Sequence, residues 1–353
     1  MKAKQYILTS LLLMMIFLLY HFSIWNLLTK QFVEVPDNVR IGDLGRISYS
    51  SDSLTKRLND TNLSRQHINF NSENMKAEII TIGDSFSHAG AGGLNSYYQD
   101  YIATDHNKTV MNIKALPQGF IETILILNNN GILDELEPKI IILESVEREI
   151  LRRYSKKINW DINKDKEYVN KYLLKNNKNN NNIKKPFFIN NLNYNSVLYN
   201  LLYDYDDNAF YSKVYKAQLS KALFTCIASD TLLFINDDLS DLSLYSKRNI
   251  ALINDNLNKL QKILEKKNIK LYFMPAVDKY NLYSKYIIDN KYKKNVFFET
   301  MRPLKKEYEF VDTKMILEKM LDNNVTDIYY SDDTHWGFKA SKEIVNKIKL
   351  NLL

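Results

Sequence analysis

Two short segments, separated by most of the chain, carry side chains that could perform acyl transfer. The first, Gly83-Asp84-Ser85, supplies a serine, and the second, Asp333-Thr334-His335, supplies an imidazole with a carboxylate two residues before it. A serine hydroxyl becomes a good nucleophile when an imidazole accepts its proton, and a carboxylate fixes the tautomer of that imidazole. Among the five histidines, His335 alone follows a predicted strand and has such a carboxylate nearby. The sequence therefore predicts Ser85, His335 and Asp333 as the catalytic residues.

Each motif taken alone has other interpretations. Gly-Asp-Ser after a strand also forms turns and helix N-caps. Asp-Thr-His could begin a helix with an exposed histidine, or contribute to a metal pair. Asp332 competes with Asp333 as the histidine partner, because Asp-x-x-His would select it. His88, three residues after Ser85, is expected on a following helix in a structural role.

The elements that would position these residues alternate along the chain. Short runs rich in Ile and Val alternate with helical periodicity, which indicates βαβ units and a parallel sheet. Functional groups then collect beyond the carboxyl ends of the strands. The fold class predicted is α/β, a three-layer α/β/α sandwich with a mostly parallel sheet. Strands are predicted at 78–82, 109–113, 139–143, 270–274 and 327–330, and helices at 120–136, 249–267, 313–321 and 338–350.

The N-terminal segment is apolar enough to cross a membrane. Residues 6–28 contain no charged side chain, and about 20 apolar residues span a bilayer as a helix. Lys2 and Lys4 precede the segment, so the positive-inside rule leaves the N-terminus in the cytoplasm and the rest outside. A cleaved signal peptide is the alternative, but the run is long and no small-x-small site follows it.

The resulting organisation is a single-pass protein of the cell membrane. Residues 1–30 are predicted to be a cytoplasmic tip and a transmembrane anchor, and 31–75 a tether. Residues 76–353 form the catalytic domain, with an insertion at about 155–247 whose asparagine-rich tract, near 175–182, is expected to be disordered.

Composition excludes several classes of protein. The net charge is +7, but no Lys/Arg block is interleaved with aromatic residues, which argues against a nucleic-acid partner. The single cysteine, Cys226, excludes an intramolecular disulfide and a cysteine-based metal site. Gly90, Gly92 and Gly93 lack the lysine and hydroxyl residue of a phosphate-binding loop. The sequence predicts neither a cofactor nor a metal.

The motifs resemble a known superfamily. Gly83 to Ser87 is similar to the first sequence block of the SGNH (GDSL-like) hydrolases, and Asp333 to Trp336 is similar to their late block with the catalytic Asp and His. The form Asp-x-His-Trp, together with the Pro-x-x-x-Lys-x-x-x-Tyr element at 275–283, resembles the polysaccharide O-acetyltransferase branch related to alginate-acetylation proteins. The resemblance covers residues 76–153 and 250–350. In the alginate proteins the Asp-x-His element precedes the serine, whereas here it follows it.

The resemblance implies an SGNH or flavodoxin-like sheet and further site residues. Gly119 matches the second-block glycine, whose N–H would complete an oxyanion hole with that of Ser85. The asparagine of the third block is missing, because that segment reads Glu144-Ser145-Val146-Glu147-Arg148. Further candidates for contact with substrate or oxyanion are Asp84, Arg148, Lys279 and Trp336. Arg148 alternatively pairs with Glu144 or Glu147.

The resemblance also implies a function. The expectation is transfer of an acetyl or similar acyl group to an extracellular polysaccharide through an acyl-serine, with a multispanning membrane O-acyltransferase (MBOAT type) as the partner that delivers the acyl group. Two alternatives stay open: a carbohydrate esterase with the same triad, and a catalytically silent glycan-binding protein.

Overall fold

The computed structural model describes residues 2–32, 41–55, 57, 62–71, 76–175, 187–348 and 350. Most of the predicted disordered tract therefore lies outside the described residues. The strands are β1 (Ile68–Asn69), β2 (Ile79–Gly83), β3 (Val110–Lys114), β4 (Ile140–Val146), β5 (Val214–Gln218), β6 (Thr231–Ile235), β7 (Lys270–Ala276) and β8 (Glu309–Phe310).

The helices begin with a long N-terminal segment. They are α1 (Lys2–Ile24), α2 (Asp43–Ser48), α3 (Tyr98–Asp105), α4 (Phe120–Asn129), α5 (Ile132–Leu136), α6 (Ile150–Tyr154), α7 (Lys166–Lys175), α8 (Asn191–Tyr203), α9 (Lys247–Glu265), α10 (Lys279–Tyr283), α11 (Phe297–Met301), α12 (Thr313–Asp322) and α13 (Phe338–Lys347). A π-helical turn, Trp25–Thr29, and a 3₁₀ turn, Lys30–Phe32, continue α1.

Six strands form one sheet in the order β1-β3-β2-β4-β7-β8, and all the pairings within it are parallel. Without the short edge strand β1, the order is that of flavodoxin-like sheets, whose switch point falls between the first and third strands. Here that point lies between β2 and β4. The sequence prediction of an α/β fold with a mostly parallel sheet is confirmed.

Helices cover both faces of this sheet. α3, α13 and α12 contact one another in a row, whereas α6, α9 and α11 form a second group. The chain first moves from β2 to β3, and it then crosses back over β2 to β4, β7 and β8. Right-handed crossovers in these two opposite directions place their helices on opposite faces of the sheet. β2 and β4 are buried along their full length. Their Ile-rich composition is typical of strands covered on both sides.

The structure corrects several predicted elements. The helix predicted at 120–136 is divided into α4 and α5 at Gly131, whose φ of 82° an L-residue rarely adopts. The strand predicted at 327–330 is wrong: Tyr329 forms only an isolated bridge with Trp336, and the edge strand is β8 instead. β7 continues through Pro275, where the prediction ended it.

The segment at 31–75 is not a tether along its described length. Ile41 and Leu44 are buried, α2 packs against β5 and β6, and β1 adds a strand to the sheet. Polar composition concealed this packing, since residues 41–57 bury few but well-spaced apolar side chains.

The segment between α6 and α9 does not contribute to the six-stranded sheet. It contains α7, α8 and the antiparallel hairpin of β5 and β6. The hairpin packs against α2, which precedes the serine motif in the chain, and against α10, which precedes the histidine motif. At the N-terminus, Lys2–Thr29 is one continuous helix long and apolar enough to cross a membrane.

Truncation in the centre of the sheet should destabilise the fold. Ile142 is fully buried and lies between Thr81 and Tyr272 of the neighbouring strands. Ile142→Ala should lower the free energy of unfolding by about 2–5 kcal/mol, because it removes buried methyl groups and leaves a cavity. Urea unfolding of the full chain in detergent measures this. Leu252→Ala, on the exposed face of α9, is the control, and an equal loss in both variants would contradict the assignment of the core.

Candidate active site

Ser85 lies at the carboxyl edge of the sheet, directly after β2. The chain turns sharply there, and the carbonyl oxygen of Ser85 accepts the N–H groups of His88 at 3.2 Å and Gly90 at 2.7 Å. The Ser85 side chain is exposed. His88 therefore lies in a turn rather than on a helix, and the turn presents the serine hydroxyl at the surface.

Gly83 permits this turn. A Cβ atom at Gly83 would lie 2.0 Å from Ser87 Oγ and 2.2 Å from Glu144 Oε2. Both contacts are far below the sum of van der Waals radii, so only glycine fits between β2 and β4 at this level.

His335 meets Ser85 across the same edge. Its Nε2 atom lies 2.7 Å from Ser85 Oγ, and its Nδ1 atom lies 2.7 Å from Asp333 Oδ1. The backbone N–H of His335 also donates to Asp333 Oδ1, at 3.0 Å. Nδ1–H donation to the carboxylate leaves Nε2 as the acceptor for the serine proton, the tautomer that general-base catalysis requires.

Packing fixes the imidazole plane. The ring of Phe86 lies 4.8 Å from the ring of His335, centroid to centroid. On another side, Gly90 approaches so closely that a Cβ atom there would lie 2.3 Å from His335 Nε2. The imidazole is thus confined by neighbours within the serine loop itself.

Arg57 lies behind the carboxylate. Its Nη2 atom is 3.1 Å from Asp333 Oδ2 and 3.1 Å from Asp332 Oδ1, and all three side chains are buried. Burial alone would raise the pKa of Asp333, but its hydrogen bonds and the charges of His335 and Arg57 bring that pKa below its ordinary value. Asp333 therefore stays ionised, as a partner of an imidazolium must.

Asp332, the rival histidine partner, faces away from His335. Its Oδ2 atom accepts the N–H of Gly42 at 2.8 Å, and its Oδ1 atom accepts Arg57. Burial raises the pKa of Asp332, in contrast to Asp333. The structure thus places Asp333, not Asp332, against the imidazole.

Two further groups hold the histidine loop from outside. Lys279 Nζ donates to the carbonyl oxygens of Tyr330, Ser331 and Asp333, at 2.8, 2.7 and 3.1 Å. Burial lowers the pKa of Lys279 to about 8. Lys279, a predicted substrate contact, is therefore a buried positioning residue. Asp43 accepts the Thr334 N–H at 2.8 Å and the Thr334 hydroxyl at 2.6 Å.

The serine loop is held from the β4 side by Asp84 and Glu144. Asp84 Oδ2 accepts the N–H of Val146 at 2.8 Å and also binds Arg153. Burial opposes ionisation of Asp84, but Arg153 and the backbone N–H donors bring its pKa below its ordinary value. Asp84, predicted as a substrate or oxyanion contact, instead connects the ends of β2 and β4.

Glu144 is fully buried beneath the serine loop. Its Oε2 atom accepts the Asp84 N–H at 3.0 Å and the Ser87 hydroxyl at 2.8 Å. Burial first, and the charge of Asp84 second, raise the pKa of Glu144 well above its ordinary value. Glu144 is therefore a neutral acid that supports the turn.

The two predicted oxyanion donors differ in their hydrogen bonding. The Ser85 N–H donates no hydrogen bond within the described part of the chain. The Gly119 N–H, by contrast, donates to the Leu116 carbonyl at 3.1 Å. The structure does not support Gly119 as a second donor in this conformation, because that N–H is already used.

Two remaining candidates have structural partners. Arg148 is nearly buried and pairs with Asp278 at 2.9 Å and with Asp238 at 3.2 Å. Trp336 is buried against Phe86, at 4.5 Å between ring centroids. Trp336 is therefore covered by the core, whereas Arg148 is paired with two carboxylates and keeps 15% of its side chain exposed.

One group of residues has the composition of a metal site. Within the described residues, Asp43, Asp333 and His335 offer ligand atoms within 4.8 Å of one another. Each carboxylate already accepts hydrogen bonds from the protein, as described above. Hydrogen bonding therefore accounts for this cluster.

Sequence reasoning missed Arg57 and Asp43, because both lie in the predicted tether. One signal was available: Ile41 and Leu44 are three residues apart, a spacing that places apolar side chains on one face of a helix, and both are buried. The pairing of Arg57 with two aspartates 275 and 276 residues away has no local signal.

No known protein family, curated protein or solved structure matches this chain.

Replacing Glu144 by its neutral isostere should change how stability depends on pH. Unfolded Glu144 ionises near pH 4.5, whereas the folded protein keeps it protonated, so native stability falls as the pH rises above that value. Glu144→Gln removes this loss. Its unfolding free energy relative to wild type should therefore rise with pH, by at most about 1.4 kcal/mol per pH unit. Urea unfolding between pH 4 and pH 8 measures the difference, with exposed Glu265→Gln as control, and a flat difference would refute the neutral state.

Proposed function

We propose that this chain is a membrane-anchored, serine-dependent O-acyltransferase that acts on glycan hydroxyls outside the cytoplasm. The observation that carries the proposal is the contact between Ser85 Oγ and His335 Nε2 at 2.7 Å, with Asp333 on the far nitrogen at 2.7 Å. An exposed hydroxyl, a confined imidazole and an ionised buried carboxylate are the parts that nucleophilic acyl transfer requires.

The reaction would proceed in two halves. Ser85 Oγ attacks the acyl carbonyl as His335 Nε2 accepts its proton, and Asp333 stabilises the imidazolium. The Ser85 N–H faces the oxyanion of the tetrahedral intermediate. His335 then protonates the leaving group of the donor, which leaves an acyl ester on Ser85. In the second half an acceptor hydroxyl gives its proton to His335 and attacks that ester, and Ser85 recovers its proton as the product ester departs.

The position of the site supports an acyl donor delivered at the membrane. Gly42 and Asp43 at the start of α2 bind the histidine loop, and Tyr49 at its end contacts Phe32, just beyond the long apolar helix, at 6.4 Å between ring centroids. One short helix therefore separates the catalytic loop from the end of the proposed anchor. An MBOAT-type partner in the membrane could transfer an acyl group to Ser85 at this short distance from the end of the anchor.

An open site supports a large acceptor. Ser85 is exposed at the rim of the sheet, whereas a cavity of about 320 Å³, between β8, α12 and α13, contains none of the catalytic candidates. A hydroxyl on a polysaccharide could reach an exposed serine without entering an enclosed pocket. An esterase would use the same triad with water as the acceptor, so acceptor competition must separate the two activities.

Removing the nucleophile should abolish covalent chemistry. Ser85→Ala should eliminate both labelling by a fluorophosphonate probe and hydrolysis of a chromogenic acetyl ester by the full chain in detergent. Asp333→Asn should lower kcat about 10⁴-fold, because the imidazole then takes the wrong tautomer. Ser87→Ala is the matched control: this hydroxyl lies in the same loop but faces Glu144 and Tyr98. Labelling that survives in Ser85→Ala and disappears in Ser87→Ala would overturn the assignment of the nucleophile, whereas a wild-type chain with neither labelling nor hydrolysis would favour a silent glycan-binding protein.

Acceptor dependence should distinguish a transferase from an esterase. With an acetyl ester as donor, addition of an oligosaccharide should produce acetylated sugar at the expense of free acetate, because the acceptor hydroxyl competes with water for the acyl-serine. Mass spectrometry of the sugar and titration of released acid measure the partition. Ser85→Ala supplies the background. Acid release that no tested glycan diminishes would favour the esterase.

A further inference from the structure

Helix α8, in the insertion, is exposed but contains no charged residue. Its sequence, Asn191–Tyr203, consists of asparagine, serine and apolar or aromatic residues. Surface helices of soluble domains normally place charged and polar side chains on their outer face. The outer face of α8 therefore has an unusual composition.

The polarity of α8 is inverted. Its inward side chains include Asn193 and Ser196, both 0% exposed, whereas its outward side chains Tyr194, Leu198 and Leu201 are 46%, 50% and 55% exposed. These outward residues are spaced by four and three positions, so they lie on one face of the helix. Phe187 before the helix and Tyr205 after it are aromatic residues that are also strongly exposed, at 86% and 82%. We call these five residues the α8 stripe.

The α8 stripe begins at the outer end of the apolar helix. His21 of α1 is buried between Asn193 and Tyr194: its Nδ1 atom lies 2.7 Å from Asn193 Nδ2, and its Nε2 atom lies 3.2 Å from Tyr194 Oη. The ring of Tyr20 stacks on the ring of Tyr194, at 5.4 Å between centroids. These contacts hold the start of α8 beside the part of α1 that would leave a bilayer.

We propose that the α8 stripe lies in the interfacial layer of the membrane, against phospholipid headgroups and the first acyl carbons. The inference rests on the membrane anchoring of α1 and does not depend on the catalytic assignment. Leucine side chains enter the apolar boundary, and tyrosine rings place an apolar body and a polar hydroxyl across it, which is the chemistry of interfacial helices. The buried Asn193 and Ser196 then face the protein, where polar groups can be satisfied away from lipid.

Continuity with α1 favours lipid over a protein partner. The stripe joins directly to residues 20 and 21 of α1, and from residue 6 to residue 19 the exposed side chains of that helix are apolar except for Thr9 and Ser10. A bilayer that surrounds this part of α1 would therefore also meet the start of α8.

Spin-label accessibility tests this placement in the full chain. Labels at Leu201→Cys and Tyr205→Cys, each in a Cys226→Ser background, are measured in phosphatidylcholine vesicles without any other protein. The ratio of collision rates with oxygen and with a water-soluble nickel complex should be several-fold higher at both positions than at Glu265→Cys. Glu265 is exposed at the end of α9, just before β7 begins.

A label at Leu13→Cys reports whether α1 itself is inserted. A lipid-like ratio at Leu13, Leu201 and Tyr205 supports the proposal. A lipid-like ratio at Leu13 with water-like ratios at Leu201 and Tyr205 overturns it and leaves a protein partner as the occupant of the stripe. A water-like ratio at Leu13 also overturns it, since the stripe would have no membrane nearby. Acetyl-ester hydrolysis by the same labelled proteins is recorded separately, so loss of catalysis cannot be mistaken for loss of membrane contact.

Discussion

The proposed chemistry depends on one constraint: an imidazole must keep the tautomer that leaves Nε2 free to accept a proton from Ser85. The hydrogen bond between His335 Nδ1 and Asp333 enforces that tautomer, and it does so only while Asp333 is ionised. Burial works against ionisation. The guanidinium of Arg57, shared with Asp332, therefore becomes part of the site.

Arg57 also explains why residues 41–57 are folded against the histidine loop. A buried ion pair contributes little net stability, but removing one member leaves an uncompensated charge that costs several kcal/mol, about 3–5. Detaching residues 41–57 from the domain would remove Arg57 and leave Asp332 and Asp333 without their cation, at that cost in free energy. The same segment includes Gly42 and Asp43, which hold the histidine loop by its side-chain and backbone groups. α2 therefore links the histidine loop to the end of the apolar helix.

The insertion contacts both the apolar helix and the end of α2. α8 contacts the end of α1, and Tyr199 of α8 contacts Tyr49 at the end of α2, at 5.1 Å between ring centroids. The apolar helix, the insertion and the segment that carries Arg57 therefore form one contiguous layer beside the catalytic edge. Asp43 of α2 binds Thr334, next to His335, so this layer adjoins the loop that carries the proposed catalytic imidazole.

The sequence alone determined the elements whose signal is local. Ile-rich strands, the glycine that ends β2 and the apolar N-terminal helix follow from composition and short spacing. The choice of Asp333 over Asp332 as the partner of His335 followed from the resemblance of the Asp-x-His-Trp segment to a known family. Ser85 could be matched to His335 because the carboxyl ends of parallel strands share one edge. Only the tertiary structure decided the remainder. Arg57 pairs with Asp333, 276 residues away, and Lys279 binds the Tyr330 carbonyl, 51 residues away. The bonds of Asp84 to Val146 and of Arg148 to Asp278 span 62 and 130 residues. A charged side chain in a sequence does not reveal whether it will meet substrate or another buried charge. Burial and long-range pairing are properties of the whole packed chain. They gave Asp84, Arg148 and Lys279 structural partners, and they placed Arg57, in the predicted tether, behind the carboxylate of Asp333.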